Sequence, residues 1–279
     1  MASWATFSYP VIPMLRPVPA LGLLVALAAC RHAPEPAPQV LLLGEVHDNA
    51  AGHAARADLL RERIEAGWRP AIAMEQFDTA QQAALDAAMA SCADAECVVA
   101  KVAPAKSSWT WAHYTPVIAL ALQYKLPLRA ANLSRADASK IVKGGFADGL
   151  PADVIARYQL DALPGPLLAA QETEVRDSHC GALPEPLVSP MAKAQIARDV
   201  VMAETLRAHA ANGVVLIAGN GHVRTDIGVP FWLRRDALAS HATGFLEPGS
   251  DATGFDAVRR IPVQARPDPC AGFRPPTPG

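Results

Sequence analysis

Two apolar runs that break off in glycine and reach a histidine within three residues limit most strongly what this chain can fold into. They are Val40-Leu41-Leu42-Leu43-Gly44-Glu45-Val46-His47-Asp48 and Val214-Val215-Leu216-Ile217-Ala218-Gly219-Asn220-Gly221-His222-Val223-Arg224. An unbroken apolar run, with no polar alternation, is the pattern of a strand covered on both faces, as in a parallel sheet. The expected fold class is therefore α/β, with a largely parallel central sheet flanked by helices. Open sheets of this kind hold ligands beyond the carboxyl ends of their strands. If the two runs are central neighbours, Glu45, His47, His222 and Arg224 meet at one edge although the glycines lie about 175 residues apart.

The stretches between these runs supply the remaining layers. Ala50 to Trp68 has helical periodicity, with Leu59, Leu60 and Ile64 on one face, Arg56, Arg61 and Arg63 directed outward and Gly67 closing it. Pro70 to Phe77 is the next strand. After a crossover helix it runs parallel to the first and carries Glu75 to the same edge. Asp78 caps an Ala-rich helix over Thr79 to Ser91, and a further helix starts in the aromatic stretch Trp109 to Pro116 and ends at Tyr124. Leu126 to Arg135 contains a strand whose tip offers Asn132. Pro and Gly breaks over 136–190 leave only short helices, read as a helical insertion that lids the strand-end cleft. Pro190 to Ala211 reads as one amphipathic helix with Pro190 near its first position. Thr243 to Glu247 and Ala257 to Pro262 are expected as edge strands.

The amino terminus reads as an export segment. An apolar core from Ala20 to Leu27 ends in Leu27-Ala28-Ala29-Cys30, which resembles the bacterial lipobox, so residues 1–29 are the expected signal peptide and Cys30 the expected lipidation site. Residues 30–39 are a Pro-rich tether, 40–270 the folded domain and 271–279 a loose tail. The expected location is the bacterial cell envelope, on an acyl anchor that does not span the membrane. With 25 basic against 27 acidic residues and a net charge of −2, nothing favours nucleic acid. An exported compartment permits disulfides, and the expected pairs are the local Cys92–Cys97 and then Cys180–Cys270.

Leu43-Gly44-Glu45-Val46-His47-Asp48, Ala73-Met74-Glu75, Trp111 to Pro116, Ala130 to Arg135, His179-Cys180-Gly181, Ala194 to Ala203 and Gly219 to Pro230 together resemble the ChaN family of haem-binding lipoproteins. That family belongs to a wider group with Tiki-type proteases and erythromycin esterases. The resemblance implies haem as ligand, a role in haem or iron uptake, a homodimer, and a tyrosine on the iron. Tyr158 is the first candidate for that ligand because it falls in the helical insertion, with Tyr114 second. The wider group implies an alternative, a metal-dependent hydrolase. In that reading Glu45, His47, Glu75 and His222 bind a divalent metal or activate water, and Arg224 or Asn132 polarises a carbonyl.

Overall fold

Six parallel strands frame the protein in a computed structural model that describes Met1, residues 39–104 and residues 107–272. In chain order they are β1 (Val40–Leu43), β2 (Ala71–Asp78), β3 (Leu128–Asn132), β4 (Val214–Ile217), β5 (Ser240–Leu246) and β6 (Ala257–Arg260). They lie in the order β3-β2-β4-β1-β5-β6. The α/β expectation holds, and the two glycine-terminated runs are direct neighbours, Val40 opposite Val214 and Leu43 opposite Ile217. The chain moves one way from β1 to β2 and β3, then returns to insert β4 between β1 and β2. Such reversals are where strand ends splay and leave a crevice.

Both faces of the sheet are covered, which explains why the strands are apolar at every position. Val40, Leu42, Ala73, Val214 and Leu216 face one core, and Leu41, Leu43, Ile72, Met74, Val215 and Ile217 face the other. The second core is closed by α1 (Ala50–Glu65), α2 (Gln82–Ser91), α3 (Ala95–Val102) and α4 (Thr115–Tyr124). The first is closed by α5 (Arg135–Gly144), α6 (Ala152–Tyr158), α7 (Gly165–Ser178), α8 (Glu185–His209) and, after the short α9 (Asn220–Val223), by α10 (Val229–Leu233). The helices expected over 136–190 are thus part of one layer organised on α8.

Three local expectations need correction. The long helix starts at Glu185, with Pro184 as its cap and Pro190 inside it. Pro190 forfeits one backbone hydrogen bond. Val188 and Ala192 are nevertheless buried against Val175 of α7, and that packing holds the additional turn. Of the two expected edge strands only β6 is an edge, because β5 pairs with β1 on its inner side. Arg56 of α1 does not point outward; it is fully buried.

Cys92 is bridged to Cys97 and Cys180 to Cys270, as expected. The second bridge and the ion pairs of Arg266 with Asp48 and Glu247 tie residues 261–272 to the domain although they form neither helix nor strand. Apart from Met1, the expected signal peptide, Cys30 and nearly all of the tether lie outside the described residues. Among the described residues no helix is long and apolar enough to cross a membrane.

Candidate functional site

The site is built at the carboxyl ends of β1, β2 and β4, and two glycines permit it. A side-chain carbon at Gly44 would sit within 2.9 Å of Val223 and closer still to Asn220, so only glycine lets α9 pack on the end of β1. Asn220 then accepts from the Phe245 N–H (3.1 Å) and donates to the Phe245 carbonyl (2.8 Å), which extends the ladder of β5. At Gly219 an added carbon would lie 2.9 Å from the His47 ring. The β4 tip and the His47 imidazole therefore share one space, as the paired motifs predicted.

His47 is oriented by a buried carboxylate. Its Nδ1 lies 2.8 Å from Glu45 Oε1, and a carboxylate can only accept, so the ring hydrogen sits on Nδ1 and the Nε2 lone pair is left for the cleft. Glu45 is itself held by the Tyr114 hydroxyl, which donates at 2.6 Å, and by an ion pair with Arg56. Arg56 also donates to His53 Nδ1 (2.9 Å), and His53 Nε2 donates to the His47 carbonyl (2.9 Å). Burial lowers His53 to about 4, which keeps it neutral and suits both bonds. Burial likewise lowers Arg56 to about 10, against the attraction of its surroundings, so the guanidinium stays charged at neutral pH.

A second histidine sits opposite in a different electrostatic setting. His222 Nδ1 donates to Asp199 Oδ1 at 2.6 Å, and Nε2 lies 3.6 Å from Glu75 Oε1. Burial disfavours its charge, but Asp199 and Glu75 outweigh that and push it up to about 9. Asp199 is raised to about 6 by burial, with His222 opposing, and also accepts from Gln171 (3.2 Å). His222 is therefore an imidazolium at neutral pH. Glu75 accepts from the Gly219 N–H (2.8 Å). Its position follows from an irregularity in β2: Met74 pairs with Ala130 but Asp78 with Asn132, so four steps on β2 match two on β3. The extra residues let the adjacent Glu75 and Gln76 both line the cleft, where regular alternation would separate them.

The cleft has two halves that meet at His47, Gln195 and His222. The narrower, about 420 Å³, is walled by Val46, Val175 and Ile227 beside polar groups. The wider, about 710 Å³, is walled by Trp109, Asn132, Arg135 and Arg198. Trp109 meets the His47 ring edge-on, with centroids 5.0 Å apart. These volumes fall in the ordinary range for small-molecule sites.

Residues 36–233, most of the chain, match a family model described as haem-binding uptake, Tiki superfamily, ChaN. The chain is a member of the ChaN family. A solved structure described as cofacial haem binding to ChaN of Campylobacter jejuni superposes with a TM-score of 0.64 at 23% identity, covering 79% of this chain and 86% of that one. An erythromycin esterase, EreC, in its open conformation aligns at a TM-score of 0.45 and 13% identity, over 76% of this chain and 71% of that chain. The first likeness is one of fold. No curated protein matches the chain.

The tyrosines singled out by the ChaN resemblance are not placed to reach a ligand. Tyr158 is 1% exposed, packs edge-on against Trp232 and donates to Glu204 (2.8 Å). Tyr114 is fully buried beneath Glu45. Burial raises both phenols, so neither readily loses its proton to a metal. The divalent-metal expectation is not supported either. Glu45, His47, Glu75 and His222 do converge, yet among the described residues no group of three or more His, Cys, Asp or Glu is arranged to hold an ion. Both oxygens of Glu45 are engaged by neighbours and His222 carries a proton on each nitrogen. Arg224 does not line the cleft and is paired with Glu174 and Asp226. Asn132 accepts from Arg198 at 2.7 Å.

Sequence reasoning missed Arg56 and His53 and gave Asp199 and Arg198 no role. The signal was available: His53 and Arg56 precede Leu60 by seven and four residues, and Asp199 falls beside Ile196, Val200 and Ala203, all on buried stripes.

Proposed function

We propose that this chain takes up and carries haem in the strand-end cleft, with the His47 Nε2 as the group that meets the iron. The single observation that carries this reading is the anchoring of His47: a buried carboxylate fixes its tautomer and leaves a basic nitrogen at the junction of the two cavities. Haem-ligating histidines commonly donate their other ring N–H in this way, which fixes the ring and strengthens the donor. The ring is half-exposed, with 52% of its side-chain surface open. The apolar walls suit a porphyrin body, so the residues fit the cargo without a tyrosine. The reading includes the acyl anchor at Cys30, supported by Leu27-Ala28-Ala29-Cys30 after an apolar run, and a homodimer by analogy with the family.

Titration of the chain from residue 31 with ferric haem tests it. Saturable binding with a defined Soret band is expected. His47→Ala is expected to shift that band and weaken binding at least tenfold, about 1.4 kcal/mol or more. Tyr158→Phe is expected to leave both unchanged, since its ring is sequestered in the core. No saturable binding by the wild type, or the same spectrum and affinity in His47→Ala, would overturn the assignment.

A second reading is favoured by His222. A histidine held between two carboxylates is a poised proton donor, and His47 backed by Glu45 is a base, so the pair has the form of an acid–base hydrolytic site. Turnover of p-nitrophenyl esters by the wild type, abolished by His222→Ala and unaffected by chelators, is the outcome this reading requires. An inactive wild type removes it.

A further inference from the structure

The haem reading accounts for His47 and for the apolar half of the cleft but leaves the wider half without a task. Its polar wall differs from the rest of the site. Arg198 of α8 spends Nη1 on Asn132 Oδ1 (2.7 Å) and the Leu133 carbonyl (2.9 Å), and among the described residues its Nε and Nη2 make no hydrogen bond or ion pair. Arg135, at the start of α5, is exposed at the mouth of the same cavity and likewise unpaired. The two guanidiniums face one space. Arg198 is lowered by burial first, with Glu75, Asp78 and Asp199 opposing, and Arg135 adds to the lowering, as one cation does beside another.

Most of the nearby acids are committed elsewhere. Glu75 accepts from Gly219 and faces His222, and Asp199 is bound to His222 and Gln171. Asp137 is taken by Ser134 and Lys140. Asp78 is the exception: its N–H donates to Gln81 (2.8 Å), while its carboxylate, raised by burial with Arg198 opposing, lines the same cavity, and Arg135 supplies the second cation that keeps the wall able to take an anion. A planar guanidinium fixed on one side, with its other N–H groups open to a cavity, is suited to accept a carboxylate in two parallel bonds.

We propose that the wider half of the cleft is a carboxylate-binding subsite, built by Arg198 with Arg135 at its mouth, which takes the acidic substituent of a ligand whose apolar body lies against Trp109 and the narrower half. The proposal deepens the haem reading, on which it rests for the identity of the apolar body. Porphyrins such as haem carry two carboxylates on an apolar disc, and the division of the cleft into an apolar half and a polar half that presents two guanidiniums matches that chemistry.

The test compares ferric protoporphyrin IX with its dimethyl ester on the same chain. The diacid is expected to bind at least tenfold more tightly than the ester. Arg135→Gln and Arg198→Lys are each expected to weaken the diacid about tenfold and leave the ester unchanged, while His47→Ala weakens both ligands. Arg198→Lys keeps a cation against Asn132, so a folding defect is not expected, and thermal unfolding of each variant checks it. Equal binding of diacid and ester, or variants that weaken both alike, would overturn the subsite. A second arm needs no porphyrin: the Arg198 Nε–H resonance, assigned by its loss in Arg198→Lys, is followed with 2-naphthoate and with 2-naphthamide. If the wild type binds no porphyrin but naphthoate alone moves that resonance, the haem reading fails and the subsite stands. If neither aromatic moves it, the subsite fails as well.

Discussion

Arg56→Ala is expected to cost about 3–5 kcal/mol of unfolding free energy in urea titrations, a large fraction of the stability of a single domain. The substitution removes a fully buried cation and leaves Glu45, 3% exposed, as a carboxylate without its counter-charge. Tyr114 and His47 would still donate to it, but two hydrogen bonds do not replace the lost charge in a low-dielectric setting. His53 would lose the donor to its Nδ1 as well. Arg56→Lys is expected to recover only part of the loss, because one ammonium cannot serve both Glu45 and His53 in the way the guanidinium fork does. The double variant Glu45→Gln with Arg56→Met is expected to be more stable than Arg56→Ala, since no uncompensated charge remains. A cost below about 1 kcal/mol for Arg56→Ala would mean that Glu45 is not held as an anion by this pair.

The central strands were legible because parallel sheets cover both faces of every strand, and Val40 to Leu43 and Val214 to Ile217 contain no polar residue. Their pairing followed from shared grammar, a glycine where the backbone must let a neighbour approach and then a histidine. The Cys92–Cys97 bridge followed from its short spacing, and Cys180–Cys270 was what remained. The helix boundary at Glu185 was not legible. A proline inside a helix reads as a start, and only the packing of Val188 and Ala192 against α7 overrides that local preference. Nor could periodicity place β5 inside the sheet, because strand order is set by where the crossovers land.

The site was half legible for a related reason. Residues on or just beyond strand tips announce themselves through the glycine and the abrupt end of the apolar run, so the convergence of Glu45, His47, Glu75 and His222 on one cleft was legible. The groups that fix their charge come from helices, where a charge invites an outward reading. Arg56 and Asp199 occupy buried stripe positions among apolar neighbours, and each is there because a partner on a strand tip compensates it. A charged residue in register with an apolar stripe is thus a pointer to a buried partner across the core. The tyrosines failed for the opposite reason: an aromatic side chain in a short helix packs inward unless something holds it out, and Tyr158 has both Trp232 and Glu204 to draw it in.

The His222–Asp199 pair is expected to make stability fall with rising pH in two steps, near 6 and near 9, values that belong to the coupled pair. His222 is held above its unfolded value of 6.5, so the folded state binds its proton more tightly. That contribution is complete below about pH 6.5 and disappears as pH rises through about 9; a difference of roughly 2.5 units corresponds to about 3 kcal/mol. Asp199, raised from 3.8 to about 6, adds a loss in the same direction between about pH 4 and 6. Unfolding free energies at pH 5, 7 and 9.5, with the imidazole resonances of His222 followed by NMR and assigned with His222→Gln, would resolve both steps. Asp199→Asn removes the lower step outright and leaves Glu75, 3.6 Å away, as the closest carboxylate to His222. His222 is then expected to titrate well below 9 and the alkaline step to shrink. A wild-type His222 that titrates near 6.5, or an Asn variant with an unchanged alkaline step, would show that the imidazolium is not stabilised by Asp199. The cations facing the cleft at neutral pH would then be Arg198 and Arg135.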